Sequence, residues 1–331
     1  MPASHAVVVF GSINMDLVAR AERFPNPGET ITGEQFFTAP GGKGANQAVA
    51  AARLGADTRM IGRVGSDAFG ATLLEGLASQ GVEVSGVIRD EGSSSGVAVI
   101  EVTASGENTI IVVPGANGSL GEDDLARLEV ALEGARVLLL QLEVPIWAVV
   151  EAARLARGRG VMVILDPAPA QVLPAGLLEL VDVITPNESE AAALVGFAVN
   201  DPGEVVRAAK LLLERGARSV LVKRGEHGLY WTDGQTEVFR PTFTVRALDT
   251  VAAGDAFNGG LAAALAEGLE IGEAISWGLA TSAISVTRVG AQPSLPNREQ
   301  VLRLLEASSQ TRPSGGDGSG LGVTATLGER L

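Results

Sequence analysis

The 331-residue chain contains no cysteine. That excludes disulfides, thiol catalysis and cysteine-ligated zinc, and is compatible with a reducing cytoplasm. Its two histidines, His5 and His227, lie far apart in sequence and suggest neither a metal site nor an acid–base pair. Basic residues are in deficit, with 25 Lys and Arg against 39 Asp and Glu and a net charge of −14. A nucleic-acid partner is disfavoured, because a phosphate backbone needs clustered cations. A nucleotide is not excluded, since a local loop and a metal can supply positive potential. No apolar run approaches a membrane span. The first one, Ala6–Phe10, is too short for a signal sequence and lacks a basic flank. A soluble, cytoplasmic protein is expected.

What is present is the profile of a globular chain with many turns: 46% hydrophobic residues, 19% charged residues and 42 glycines. The length suits one large domain or two modest ones. Short β-rich runs at Ala6–Phe10, Arg59–Val64, Val137–Leu142, Val161–Asp166, Val181–Thr185 and Val220–Lys223 alternate with Ala/Leu-rich helical segments. Two of these helices are Gly44–Leu54, with Gly55 as the stop, and Phe69–Ser79. The alternation predicts an α/β, three-layer fold: a mostly parallel central sheet with helices on both faces.

Segments 12–40 and 94–114 break the rhythm. They lack helical period, and Gly96–Val102 and Asn108–Val113 flank a turn, as in a hairpin. They read as a small β lid, with an antiparallel edge extension of the main sheet as the alternative. The large α/β unit would then comprise 1–11, 41–93 and 115–310, and the Gly-rich stretch 311–331 reads as a flexible tail.

The stretch Asp249-Thr-Val-Ala-Ala-Gly-Asp-Ala-Phe-Asn-Gly-Gly260 carries the most chemical information. Small residues at 252–254 permit a tight turn into an Ala-rich helix, whose first N–H groups face outward at the positive end of the dipole. Such a turn suits a phosphate or a transferring phosphoryl group. Asp255 in the first helical turn is, taken alone, a favourable helix-start acid. Beside an anion hole a carboxylate is normally avoided, unless it accepts a proton from an attacking hydroxyl.

Other candidates stand at strand ends. Asn14 and Asp16 follow the first strand, where open α/β sheets bind ligands, and two residues apart on an extended chain they can project together toward vicinal hydroxyls; taken singly, each reads first as a turn or cap residue. Gly41-Gly-Lys-Gly-Ala-Asn46 is not a P-loop, because GxxxxGK[ST] is absent. Its glycines suggest close approach to a polyol. Glu143 closes Leu140-Gln-Leu-Glu. Asn187 and Glu190, at i and i+3, suit Mg²⁺ through its waters or, equally, an N-terminal capping box.

DTVAAGDAFNGG resembles the C-terminal signature of the ribokinase-type (PfkB) carbohydrate kinases. The motifs GSINMD at 11–16, PGET at 27–30, GGKGANQA at 41–48, NESE at 187–190 and GAQPS at 290–294 follow the family order. The resemblance thus covers nearly all of the chain except the tail. It implies ATP-dependent phosphorylation of D-ribose at the 5-hydroxyl, with another sugar, a sugar acid or a nucleoside as alternative substrates. Aromatics at 4% leave little for the base shelf of a nucleoside kinase. A non-catalytic sugar-binding protein is the rival from another class, and it is disfavoured by the intact Gly254 and Asp255. A dinucleotide-dependent oxidoreductase lacks its GxGxxG after strand one.

Carried onto this sequence, the resemblance makes Asp255 the general base and the amides of Ala252, Ala253, Gly254 and Asp255 the anion hole. Asn14, Asp16, Gly42, Lys43, Asn46 and Glu143 would bind sugar. Asn187, Lys223, Gly225, Gly228, Gly254 and Leu279 would bind ATP, with Ala280 and Ala283 beside Leu279 at the base. Lys223 departs from the small hydroxyl residue frequent there. Asn187 and Glu190 would organise Mg²⁺. Asp249, Val251, Ser285, Arg288, Gly290 and Ser294 match positions that hold K⁺, mostly through backbone carbonyls. A homodimer formed through the lid is also expected, covering the exposed edges and apolar face of the small sheet.

Overall fold

The structure, a computed structural model, describes residues 6–310; the segment read as a tail lies outside the described residues. The chain starts with β1 (Ala6–Phe10), then runs through β2 (Asn14–Ala21), β3 (Gln35–Gly41), α1 (Lys43–Arg53) and β4 (Thr58–Gly65). Next come α2 (Ala68–Ser79), β5 (Val82–Glu83), β6 (Val87–Asp90), β7 (Gly96–Thr103) and β8 (Asn108–Val113). The βα alternation resumes with α3 (Glu122–Ala131), β9 (Ala135–Leu140), α4 (Ile146–Gly158), β10 (Met162–Leu165), β11 (Val183–Ile184), α5 (Glu188–Val195) and α6 (Pro202–Glu214). It closes with β12 (Val220–Lys223), β13 (Leu229–Thr232), β14 (Glu237–Arg240), α7 (Ala253–Ala266), α8 (Ile271–Ser285) and α9 (Arg298–Gln310).

The large sheet has the order β14-β13-β12-β11-β10-β9-β1-β4-β5, with β6 also on β4. It is parallel from β12 to β5 and ends in an antiparallel pair, β13–β14. Every residue of β1 is buried because both faces are covered. Val7 and Val9 join a core under α1, α2, α7, α8 and α9. Val8 and Phe10 point the other way, into a core under α3 to α6. The three layers expected from the sequence are present.

Segments 12–40 and 94–114 contribute a separate four-stranded sheet of order β3-β2-β7-β8 and do not extend the large one. Antiparallel extension occurs elsewhere, in β13–β14, where Asp233 and Gly234 turn a short hairpin that the sequence reading left unassigned. In the small sheet β2 pairs parallel to β7, and the β7–β8 hairpin is antiparallel. β8 is exposed along its length, with Ile110 and Ile111 at 54% and 66% exposure. β2 follows β1 after only Gly11–Ile13, so the small sheet is hung directly from an interior strand of the large one.

Candidate active site

Parallel strands end on the same edge, and here that edge collects the polar residues. Gln141 and Glu143 follow β9, Asp166 follows β10, Asn187 follows β11, and Lys223 ends β12. The N-termini of α1 and α7 arrive opposite them. A cleft of about 330 Å³ between these elements is lined by Lys43, Asp166, Asn187, Glu190, Lys223, Gly225, Gly228, Ala252, Ala253, Gly254, Asp255 and Leu279. The structure thus brings together the residues expected at the phosphoryl-transfer and nucleotide positions. Ala280 and Ala283 instead pack into the core under the sheet.

Helix α7 begins without a side-chain cap, at Ala252 with φ 59°. That left-handed conformation is uncommon for a residue with a Cβ, and it turns the chain into the helix. The Ala253 amide donates to the Thr250 carbonyl at 3.2 Å, so one of the four amides expected in an anion hole is engaged in the turn itself. Those of Gly254 and Asp255 have no backbone partner among the described residues. The Lys223 ammonium stands beside this turn: a Cβ on Gly254 would lie 3.2 Å from its Nζ.

Asp255 is buried. Asn46 donates to its Oδ2 at 3.0 Å and Gln47 to its Oδ1 at 3.0 Å. Burial pushes its carboxyl up to about 6, aided by the charge of Asp166 and opposed by Lys43 and the two amide donors. Burial alone would lower the Lys43 ammonium, but Asp255, Asp166, Glu143 and Glu190 outweigh it and hold Lys43 above its ordinary value. The Oδ1 of Asn46 is buried without a partner, an acceptor ready for a hydroxyl.

Asp16 lies on β2 of the small sheet. Its carboxyl is pushed up to about 7 by burial and by the charges of Glu143 and Asp255. It lines a second cleft, about 450 Å³, between the small sheet and residues 248–251 and 289–291. Asn14 is buried and accepts from Asn117 at 2.7 Å. Asn117 also exchanges two bonds with the Ile13 backbone and so anchors the start of β2. Glu143 Oε2 accepts from the Lys43 amide at 3.1 Å and from the Ser12 hydroxyl in a short bond.

The glycines at 42 and 44 admit the protein's own chain: a Cβ on Gly42 would stand 2.7 Å from the Asn14 amide, and one on Gly44 would stand 2.7 Å from the Ser12 amide. Gly42 also has φ +88°, a conformation that glycine tolerates and other residues do not.

Asn187 and Glu190 form a capping box at the start of α5. Asn187 Oδ1 accepts from the Glu190 amide, and Glu190 Oε2 accepts from the Asn187 amide, both at 2.8 Å. Burial, with Asp166 adding to it, holds the Glu190 carboxyl above its ordinary value. Capping uses one carboxylate oxygen, so the box and a cation in the cleft are compatible. Among the described residues no cluster of three His, Cys or acidic side chains could hold a metal. A donor set with so few protein ligands fits a hydrated divalent ion arriving with phosphates.

The residues matched to a monovalent cation come from two segments that the structure joins. Asp249 accepts from the Gly290 amide at 2.8 Å and from Val251 at 3.0 Å, and the Leu248 amide donates to Val286 at 2.7 Å. Ser285 and Ser294 use their hydroxyls within their own turns. The Ser294 carbonyl accepts weakly from Arg288 at 3.4 Å, leaving carbonyl capacity of the kind K⁺ uses.

Four residues escaped the sequence reading: Gln47, Asn117, Gln141 and Asp166. Gln47 lies inside GGKGANQA and Asp166 closes a predicted strand on the ligand edge, so both carried a usable signal. Gln141 and Asn117 carried none, because their importance is in what they orient.

The family model for pfkB family carbohydrate kinases matches residues 4–298, and the chain belongs to this family. Ribokinase of Haemophilus influenzae is 44% identical over 301 residues, 91% of this chain and 98% of that protein. The crystal structure of ribokinase from Thermotoga maritima is 38% identical with a TM-score of 0.83, covering 91% of this chain and 99% of that one. The Arabidopsis thaliana ribokinase complexed with ribose and ATP is 33% identical with a TM-score of 0.85, covering 92% and 99%. No helix among the described residues is long and apolar enough to cross a membrane.

Proposed function

We propose that this protein is an ATP-dependent ribokinase that converts D-ribose to D-ribose 5-phosphate and ADP. The observation that carries the reading is the buried Asp255 carboxylate, held by Asn46 and Gln47 on the same helical turn as the free amides of Gly254 and Asp255. Asp255 takes the proton of the 5-hydroxyl as its oxygen attacks the γ-phosphorus. The bond to the β–γ bridging oxygen breaks, and the electron pair leaves with ADP. The amides, with Lys43 and Lys223, stabilise charge on the transferring group. Asn14, Asp16, Asn46 and Glu143 hold the sugar, with Gly42 and Lys43 shaping its pocket. Gly225, Gly228 and Leu279 border the adenosine.

Mg²⁺ organised through water by Asn187 and Glu190 would supply neutralising charge on the phosphates. K⁺ among the carbonyls of Asp249, Val251, Ser285, Arg288, Gly290 and Ser294 would stiffen the turn that enters α7. Segments 12–40 and 94–114 act as a lid on a body made of 1–11, 41–93 and 115–310, and closure over the sugar excludes water. The exposed face of β8 suits a second copy, making a homodimer through the lid. The protein works in the cytoplasm, as its cysteine-free sequence permits.

The test is ADP release from ATP and Mg²⁺ with D-ribose, D-fructose, a sugar acid and adenosine in parallel, each with K⁺ or with Na⁺ alone. Ribose turnover, raised by K⁺ and reduced about 10²–10⁴-fold in Asp255→Asn, is expected. Turnover on another substrate alone would replace the sugar and keep the mechanism. Tight sugar binding without turnover would reject the kinase reading.

A further inference from the structure

Behind Asp255 lies a connection through Gln47 to Asp166 that the reading above does not use. The Gln47 side-chain nitrogen donates to Asp255 Oδ1 at 3.0 Å and to Asp166 Oδ2 at 2.9 Å. Its oxygen accepts from Gln141 at 2.7 Å. A primary amide has two N–H donors and one carbonyl acceptor, and here all are directed. The amide cannot turn over without facing its carbonyl oxygen at two carboxylates and losing the Gln141 donor. Asp166 in turn pairs through Oδ1 with the Lys223 ammonium at 2.9 Å. Both acids are buried, and Gln47 is fully so.

We propose that Gln47 and Asp166 are positioning residues for the base: Gln47 fixes the orientation of the Asp255 carboxylate and joins it to the Asp166–Lys223 ion pair in the phosphate cleft. The inference rests on Asp255 being the base. Each Asp255 oxygen accepts from one amide, Oδ1 from Gln47 and Oδ2 from Asn46, so the plane of the carboxylate is fixed while lone pairs remain to meet a hydroxyl. Lys223 stands at once beside Gly254 and against Asp166. A phosphate drawing on Lys223 therefore changes the charge that Asp166 presents to Gln47 and, through it, to Asp255. Both ends of the reaction, proton acceptor and phosphoryl cradle, thus share one hydrogen-bonded path.

The path predicts opposite movements of the acid limb of kcat/KM. The charged groups facing Asp255 are Lys43 from α1, Asp166 after β10 and Asp16 from β2. Glu143 after β9, Glu190 on α5 and Lys223 on β12 act through these. Gln47→Leu removes a donor to the carboxylate, so the limb moves up in pH. Asp166→Asn removes a negative neighbour and leaves an acceptor for Gln47, so the limb moves down. Losing a hydrogen bond to a charged group lowers kcat for Gln47→Leu by about 10- to 100-fold, with a smaller change in the sugar KM.

Both variants are assayed with ribose from pH 5 to 9 beside wild type and Asp255→Asn, with folding checked by thermal melting. Opposed shifts in the two folded variants support the proposal. Folded variants whose limbs stay with wild type overturn it while leaving Asp255 as the base. Substantial activity in Asp255→Asn overturns the base and the positioning with it. If Gln47→Leu does not fold, Asp166→Asn decides alone, and a limb that stays or rises overturns the proposal.

Discussion

Replacing Asp16 with asparagine is expected to stabilise the protein while impairing it. In the folded chain the Asp16 carboxyl is pushed from its ordinary 3.8 to about 7, by burial first and then by Glu143 and Asp255. A folded value above the unfolded one means that the native state binds the proton more tightly. Stability contributed by this group is therefore lost as the pH rises and the carboxylate must stay charged in the fold. At about 1.4 kcal/mol per pH unit, the cost rises from near zero at pH 4 to about 4 kcal/mol above pH 7. At pH 5 it is about 1.5 kcal/mol by the same reckoning. A neutral asparagine side chain carries no such cost. With an unfolding entropy of about 2.1 cal/mol/K per residue, each kcal/mol moves Tm of a chain this long by about 1.5 °C, so a gain of about 6 °C at pH 8 should shrink to about 2 °C at pH 5. Calorimetry of both proteins at the two pH values measures it, with ribose turnover assayed alongside. An equal gain at both pH values, or a loss at pH 8, would refute the reasoning.

Gly42→Ala should destabilise by about 3 kcal/mol, because it forces a Cβ against the Asn14 amide at a positive φ; chemical denaturation would show a lower midpoint, and an unchanged one would contradict the account. Lys223→Met leaves the buried Asp166 without its cation, so about 3–5 kcal/mol of stability is lost, together with a rise in the ATP KM larger than that for ribose. Steady-state kinetics on the folded fraction separates the two effects, and an unaltered ATP KM would remove Lys223 from the phosphate site. Ile111→Lys on the exposed strand β8 should yield a folded, active monomer in sedimentation, whereas an undisturbed dimer would move the interface elsewhere.

The large sheet was legible because its strands carry their burial in composition: β1, buried on both faces, is an uninterrupted apolar run. The separate small sheet was visible as two segments lacking helical period. The parallel pairing of β2 with β7 was not, since no local pattern encodes a partner about eighty residues away. Asp255 could be singled out because its neighbours make it anomalous, an acid beside a turn built for anions. Gln141 and Asn117 have no such local contradiction. Their amides acquire meaning only when Gln47 and Asn14 are brought to them. The glycines at 42 and 44 were legible as points of close approach, and the fold adds that the backbone of residues 11–14 packs against them.

The division between the two sheets also has a consequence for engineering and for evolution. Asp255, Asp166 and Lys223 are all carried by the large sheet and its helices, while Asp16 reaches the site from the small one. The chain passes between the two sheets at Gly11–Ile13, at Gly42, between β6 and β7, and after β8, so the small sheet is tied to the large one at several points. On the proposed reading, variation in β3, β7, β8 and the parts of β2 away from Asp16 can explore new polyols while leaving Asp255 and the charged groups around it in place. A library aimed at altered sugar preference belongs there, and drift within the family has the same route open to it.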